Sequence, residues 1–300
     1  MFMNPDTERL LLQFKTLADP VRLRLLALCR RGECSVSELT RATGQSQPRV
    51  SQHLKKLCEA GLLERFRDGK RVYYRVPMAE GKRARRLMDL LPDAEPAMLA
   101  DAGRLHEARG LGRSQAEDAK GVSASTAASR AVHRLLLELT VTAPIGKLLD
   151  IGCGRGRLLK LLASRANRAV GVDIDADARQ FARADLLLAG LPNCSLRHGD
   201  MYRLPFADGE FDTIILDDVI ADARHPVRAL CEAKRLLNLN GRLFILQALR
   251  DRPIMELQKS LAEWSGSAGL RLTPARFAPE KSPDWLLSVA TRADANAAAA

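Results

Sequence analysis

The 300-residue chain predicts an α/β protein with a mainly helical N-terminal domain and a C-terminal domain built on a mostly parallel twisted sheet with helices on both faces. Three observations predict this. Apolar residues recur at helical spacing up to about residue 60, then switch to alternation on both sides of Asp68-Gly69. Further on, the short apolar run Lys147–Ile151 meets a glycine-rich turn, a helical segment and a second apolar strand. Between the two regions, residues 92–125 are rich in Ala, Gly and charge and hold no aromatic residue, the composition of a boundary. The expected domains are 1–95 and 126–292, with a linker at 96–125 and a disordered tail at 293–300, which contains the low-complexity end ADANAAAA.

Composition narrows the partners. The formal net charge is +11, and residues 1–80 hold over half of that excess, with 15 basic and nine acidic side chains. A basic first quarter suits an anionic partner. No apolar run approaches the roughly 18 residues of a membrane span, and the start MFMNPDTERL is not a secretory signal. Six scattered cysteines without a C-x-x-C pair exclude a disulfide framework and a zinc ribbon as good readings; reduced thiols point to the cytoplasm.

Leu10, Leu11, Phe14 and Leu17 give a first helix over 6–17. Asp19-Pro20 starts a second, which turns Leu23, Leu25, Leu26 and Leu28 largely inward and stops at Gly32. Ser35 with Glu38 is a capping box for a short third helix, and Thr43-Gly44-Gln45 makes a turn. Ser46 caps the fourth, whose Val50, Leu54 and Leu57 share one face. The opposite side presents Gln47, Arg49, Ser51, Gln52 and Lys55. Arg reads guanine and Gln reads adenine, while Ser and Lys hold phosphates. The following hairpin carries Arg65, Arg67, Lys70 and Arg71, placed to lie along a DNA backbone. Together these elements read as a winged helix-turn-helix that binds double-stranded DNA.

Residues 16–76, a fifth of the chain, resemble the ArsR/SmtB family of winged-helix repressors. The likeness rests on D-P-x-R-L-x-L-L from Asp19, S-x-x-x-V-S-x-H-L from Ser46 and G-L-L-x-x-x-R-x-G-x-x-x-x-Y from Gly61. The resemblance implies a homodimer, joined through its first and last helices, on a palindromic operator. Metal-sensing members carry C-V-C where this chain reads Ser35-Val36-Ser37, with Cys34 one residue early. Their alternative site needs histidines on the dimer helix, and residues 78–93 contain none. No metal is therefore expected at the family sites.

In the second domain, Asp150, Gly152, Gly154 and Gly156 form D-x-G-x-G-x-G between strand and helix, and Asp173 ends the next strand 21 residues after Gly152. Glycines let a ligand approach the backbone, and an acid at that strand end can accept both ribose hydroxyls. The spacing, the acid in His198-Gly199-Asp200-Met201 and the runs LPFADGEFDTIILDDVI and HPVRALCEAKRLLNLNGRLFIL resemble class I S-adenosylmethionine-dependent methyltransferases, over about residues 127–247. That resemblance implies a Rossmann-like domain binding S-adenosylmethionine or S-adenosylhomocysteine. The glycines would form the methionine-side turn, oriented by Asp150. Asp173 would hold ribose, Ile174 and Met201 would face adenine, and Asp200 would take its amino group. Asp217 and Asp218 end the fourth strand, where they could meet the cofactor amino group or an acceptor; Asp218 could equally cap a helix. His225, beyond that strand, is a candidate base.

No D-P-P-Y amine-binding motif follows the fourth strand, and the segment before the first strand has no aromatic residue. The reading that follows is a transcriptional regulator with an adenosyl-ligand effector domain. A repressor fused to an active small-molecule methyltransferase, and a nucleic-acid methyltransferase docked by its winged helix, stay open. Enzymatic activity is undecided by the sequence.

Overall fold

The computed structural model describes residues 4–77, 87, 89–92, 95–117, 127–141, 143–250 and 252–298. The chain divides into two compact units, residues 1–121 with 183–192 and residues 122–182 with 193–300.

In the first unit, short polar side chains set the helix starts. Asn4 and Asp19 cap α1 (Pro5–Leu17) and α2 (Pro20–Arg30) by accepting the amide hydrogens of Asp6 and Arg22. Each helix has proline in its first turn, where the missing N–H goes unnoticed. Ser35 and Glu38 complete the capping box of α3 (Val36–Thr43), which Gly44 ends at φ +66°. α4 (Gln47–Glu59) starts after Ser46, whose side chain makes no capping bond despite its position. β1 (Cys34–Ser35), β2 (Glu64–Asp68) and β3 (Arg71–Arg75) form an antiparallel sheet in the order β1-β3-β2. The hairpin loop is Gly69-Lys70, one residue later than the Asp-Gly signal implies. Asp68 pairs with Arg71 at the ladder end, and Gly69 supplies the positive φ, +59°. Leu25, Leu26, Leu39, Val50, Leu54 and Leu57 make the core.

One expectation changes here. Residues 96–117, expected as linker, form one helix, α5 (Pro96–Glu117), packed on α2 and α3. Leu105 joins their core, and Asp101 is 0% exposed. The helix is held by charge more than by an apolar stripe. Asp101 accepts from Nε and Nη2 of Arg24 (2.6 and 2.7 Å) and from Arg104, while Arg109 donates to Glu38 (2.9 Å) and to the Glu33 carbonyl (2.6 Å). Hydrophobic periodicity cannot reveal such docking. Residues 118–126 of the expected linker, and most of 78–94, lie outside the described residues. On α1, Gln13 and Thr16 are buried, whereas Leu11 and Phe14 are 41% and 50% exposed. Half of the first helix's apolar stripe, Leu11 and Phe14, therefore stays at the surface of the unit.

From residue 127 the chain runs α6 (Ala127–Val141), β4 (Lys147–Ile151), α7 (Arg157–Leu162), β5 (Arg168–Asp173), α8 (Ala176–Leu188), β6 (Cys194–His198), β7 (Phe211–Asp217), α9 (Pro226–Leu236), β8 (Leu237–Ala248), α10 (Ile254–Ser267), β9 (Leu270–Leu272), β10 (Arg276–Ala278) and β11 (Trp285–Arg292), all in the second unit except the end of α8 from Arg183. The sheet order is β10-β11-β8-β7-β4-β5-β6, with β9 on β11. β4 to β8 are mutually parallel, and β11 is antiparallel to β8. The parallel strands bury both faces and therefore read as continuous apolar runs, such as Ile214-Ile215-Leu216. Winding proceeds from β4 outward through β5 and β6, then returns to β7 on the other side. That switch opens a crevice at the carboxyl ends of β4 and β7. At the chain end, Ala293–Ala298 form a 3-10 helix where a disordered tail is expected, and Arg292 pairs with Asp294 at 2.9 Å. No helix among the described residues is long and apolar enough to cross a membrane.

Candidate functional site

Helical geometry gives α4 two faces. Val50, Leu54 and Leu57 are buried, while Gln47, Arg49, Ser51, Gln52 and Lys55 are all exposed. Arg65, Arg67, Lys70 and Arg71 are exposed on the hairpin. Phe66 and Tyr73 stack at 5.7 Å and stiffen it. His53 turns away from the exposed face of α4. Its Nδ1 lies 3.8 Å from Asp19, and burial pushes its imidazole below the usual range.

At the mouth of the sheet crevice, the glycine turn is strapped to β5. The amides of Gly152 and Cys153 both donate to the Val172 carbonyl (2.8 and 3.0 Å), and that of Gly154 donates to Asp173 Oδ2 (2.7 Å). Gly152, Gly154 and Gly156 all take positive φ, at +76°, +50° and +74°. A Cβ on Gly152 would lie 2.3 Å from Val219 Cγ1, whereas one on Gly154 would meet open space. The turn is thus packed from below and clear above.

Asp150, at the end of β4, is 1% exposed, and its Oδ1 has no hydrogen-bond partner among the described residues. Burial pushes its carboxyl well above the ordinary range; Asp217 adds to this, Arg157 opposes it and Asp173 adds to it. A buried, unsatisfied carboxyl is costly, and such groups collect where a ligand completes them. Asp173 accepts Gly154 on one oxygen and the Asp175 amide (2.8 Å) on the other. Each oxygen keeps a second lone pair, so two hydroxyls can still be received. Beside it, Ile174 is 71% exposed, an apolar side chain open to a flat ring. Met201 is half-buried against the core, and Asp200 is exposed with Oδ1 on the Tyr202 amide (3.1 Å). The Gly199 amide bonds the Asp173 carbonyl (3.3 Å), which holds the β5 and β6 ends together. These residues fit an adenosyl amino acid: polar groups at two ends and an apolar wall between them.

Three sequence candidates stand differently. Asp217 is occupied by Arg157, whose Nη2 donates to both its oxygens (3.1 and 3.0 Å). Asp218, at φ +58°, caps no helix. Its carboxylate accepts from Gln247, the Ala248 amide and Arg250, and so locks β7 to the end of β8. His225 is exposed at the N-terminus of α9. Its ring meets Tyr202 edge-on at 5.9 Å, and its amide donates to the Tyr202 hydroxyl (3.2 Å).

Sequence reasoning missed Arg157, His133 and Trp285. Arg157 lies 5.3 Å over the Trp285 ring. Burial and the Arg157 charge hold His133 below its usual range, and its Nε2 is buried without a partner. Arg157 directly follows the last glycine and was visible as a cation there. Nothing local pointed to Trp285 or His133.

Asp150→Asn should stabilise the full-length protein by about 1–2 kcal/mol at pH 7, read by thermal unfolding. The unfolded carboxyl ionises at its ordinary 3.8, while the folded one holds its proton to higher pH, so stability is lost as pH rises between the two values. The gain should therefore vanish below about pH 4 and grow above it. A gain that does not change with pH would show that Asp150 ionises normally in the fold.

Residues 19–65 match the family model of bacterial regulatory proteins of the arsR family, and residues 149–245 match a methyltransferase domain model. The chain therefore joins an arsR-family helix-turn-helix domain to a methyltransferase domain of Rossmann-like fold. It is 52% identical over 64 residues to the arsenic resistance transcriptional regulator ArsR1 of Pseudomonas putida, covering 21% of this chain and 50% of that one. It is 34% identical over 120 residues to the arsenite methyltransferase of Aquipseudomonas alcaligenes, covering 37% of this chain and 35% of that one. A solved S-adenosylmethionine-dependent methyltransferase from Aquifex aeolicus superposes with a TM-score of 0.46 at 18% identity, over 53% of this chain and 87% of that one. The chain thus spans half or less of the length of these two curated relatives.

Proposed function

We propose that the protein is an ArsR-type DNA-binding regulator whose methyltransferase-like domain binds S-adenosylmethionine or S-adenosylhomocysteine as an effector. The observation that carries this is the presence, in one chain, of an exposed reading face on α4 and a glycine turn beside a buried carboxyl whose Oδ1 has no partner among the described residues. Two copies meet in part through the exposed Leu11 and Phe14 of α1, which gives two reading helices for a two-fold operator. Gln47, Arg49, Ser51, Gln52 and Lys55 enter the major groove, while Arg67, Lys70 and Arg71 follow the phosphates. Asp150, the three glycines, Asp173, Ile174, Asp200 and Met201 hold the ligand, with Asp217 freed to help when Arg157 moves. The ligand shifts DNA affinity by binding one state of the protein more tightly than the other.

The test is a gel-shift titration on the DNA upstream of the gene, with each adenosyl ligand and without. A change in operator affinity of about fivefold or more is expected. Identical curves with a ligand shown to be bound would overturn the effector role. Within the same assay, Arg49→Ala should weaken operator binding about 10-fold or more while sparing random duplex. Lys70→Ala should weaken both equally and flatten the salt dependence by about one counterion. Equal losses on both DNAs for Arg49→Ala would place that side chain on the backbone.

A further inference from the structure

Arg157 opens α7 directly after Gly156, so the fold places a cation at the end of the glycine turn. Its guanidinium faces Asp217 through one nitrogen and lies over Trp285. Two buried polar atoms without partners among the described residues, Asp150 Oδ1 and His133 Nε2, belong to groups that both feel the Arg157 charge. The arrangement is a half-buried cation–anion pair, with the Arg157 side chain 33% exposed and that of Asp217 16%, near a second carboxyl whose Oδ1 has no hydrogen-bond partner among the described residues. An α-amino acid carries the complementary pair, an ammonium and a carboxylate. Exchanging one internal pair for two external ones leaves the net charge of the pocket unchanged and satisfies the spare carboxyl. Most of the desolvation of Asp217, though not of Arg157, is already in place within the fold.

We propose that Arg157 is the carboxylate clamp of this site, latched on Asp217 until the amino-acid end of an adenosyl ligand opens the pair. The ligand carboxylate then takes the guanidinium, and its ammonium bridges Asp217 and Asp150. Trp285 keeps the guanidinium plane oriented during the exchange. The consequence is selectivity for adenosyl compounds that retain a zwitterionic tail. A truncated adenosyl thioether gains nothing from the latch. This rests on the adenosyl-ligand reading above and specifies which end of the ligand decides affinity.

The experiment is calorimetric titration of the full chain with three probes: S-adenosylhomocysteine, its decarboxylated analogue and 5′-methylthioadenosine. With the unmodified protein, losing the carboxylate should weaken binding about 30-fold. Arg157→Gln, which keeps the stem against Trp285 and removes the charge, should weaken S-adenosylhomocysteine by a similar factor. It should leave the decarboxylated analogue and 5′-methylthioadenosine within about threefold. Arg157→Lys should restore part of the loss, since a point charge replaces a fork. Equal weakening of all three probes by Arg157→Gln would make Arg157 structural and overturn the clamp, as would no weakening at all. Equal binding of the carboxylated and decarboxylated probes by the unmodified protein overturns it without any variant. Failure of the unmodified protein to bind any probe would instead overturn the adenosyl-ligand reading itself.

Discussion

Gly152→Ala should cost the protein at least about 100-fold in adenosyl-ligand affinity and about 3 kcal/mol in stability. Gly152 sits at φ +76°, where an L side chain is strained by about 1–2 kcal/mol. Its new Cβ would fall 2.3 Å from Cγ1 of Val219, a branched side chain packed on the domain core, so the turn must move. Moving it breaks the two amide bonds to Val172 that hold the loop open. Gly154→Ala is the control. Its Cβ meets open space, so it should lose only about 1 kcal/mol of stability while projecting a methyl group to where the ligand lies. Calorimetry with S-adenosylhomocysteine and thermal unfolding of both variants separate the two effects. Gly152→Ala binding within threefold of the unmodified protein would mean that the turn is not the ligand cradle.

Asp101→Ala should destabilise the first unit by about 3 kcal/mol and weaken DNA binding as a result. Asp101 is fully buried and is shared by Arg24 of α2 and Arg104 of α5, whose guanidiniums also reach the carbonyls of Thr43 and Ala42. The side-chain bond to Asp101 holds the Arg24 pKa above its usual value, which marks the pair as closely coupled. Removing the acid leaves one cation half-desolvated and unties α5 from the scaffold that supports α4. Urea unfolding of the full chain, followed by far-ultraviolet circular dichroism, should show the first transition moved to lower denaturant. Both tryptophans, Trp264 and Trp285, lie in the second unit, so their fluorescence reports that unit separately. An unmoved circular dichroism transition would show that α5 docks without this carboxylate. Asp101→Asn, which keeps the hydrogen-bonding shape, should recover part of the loss.

Much of the architecture was legible because its signals are local. The caps at Asp19 and Ser35, the Gly44 stop and the switch to alternation around Asp68 act within four residues of themselves, so the helices and hairpin of the first unit could be placed. The strand, glycine turn and helix around Gly152 belong to the same class, since positive φ and an apolar strand need no distant partner. Two local signals did not carry through to the fold. Ser46 precedes α4 without capping it, and the hairpin turns at Gly69-Lys70 because Asp68 finds Arg71 across the ladder. The segment after Pro96 looked like a linker because its attachment is ionic, with partners 62 to 77 residues away in sequence.

From the chain alone came the two domains, the basic reading helix, the glycine turn and the carboxyls at the strand ends. Those follow from backbone preference and side-chain type at fixed spacing. Only the folded chain decided that Asp150 Oδ1 would find no partner among the described residues while Asp217 was given Arg157. It also decided that Trp285, 128 residues further along, would lie beneath that guanidinium. Which charge meets which depends on strands β4, β7 and β11 being brought into one sheet, and that pairing is paid for by burial summed over the whole domain.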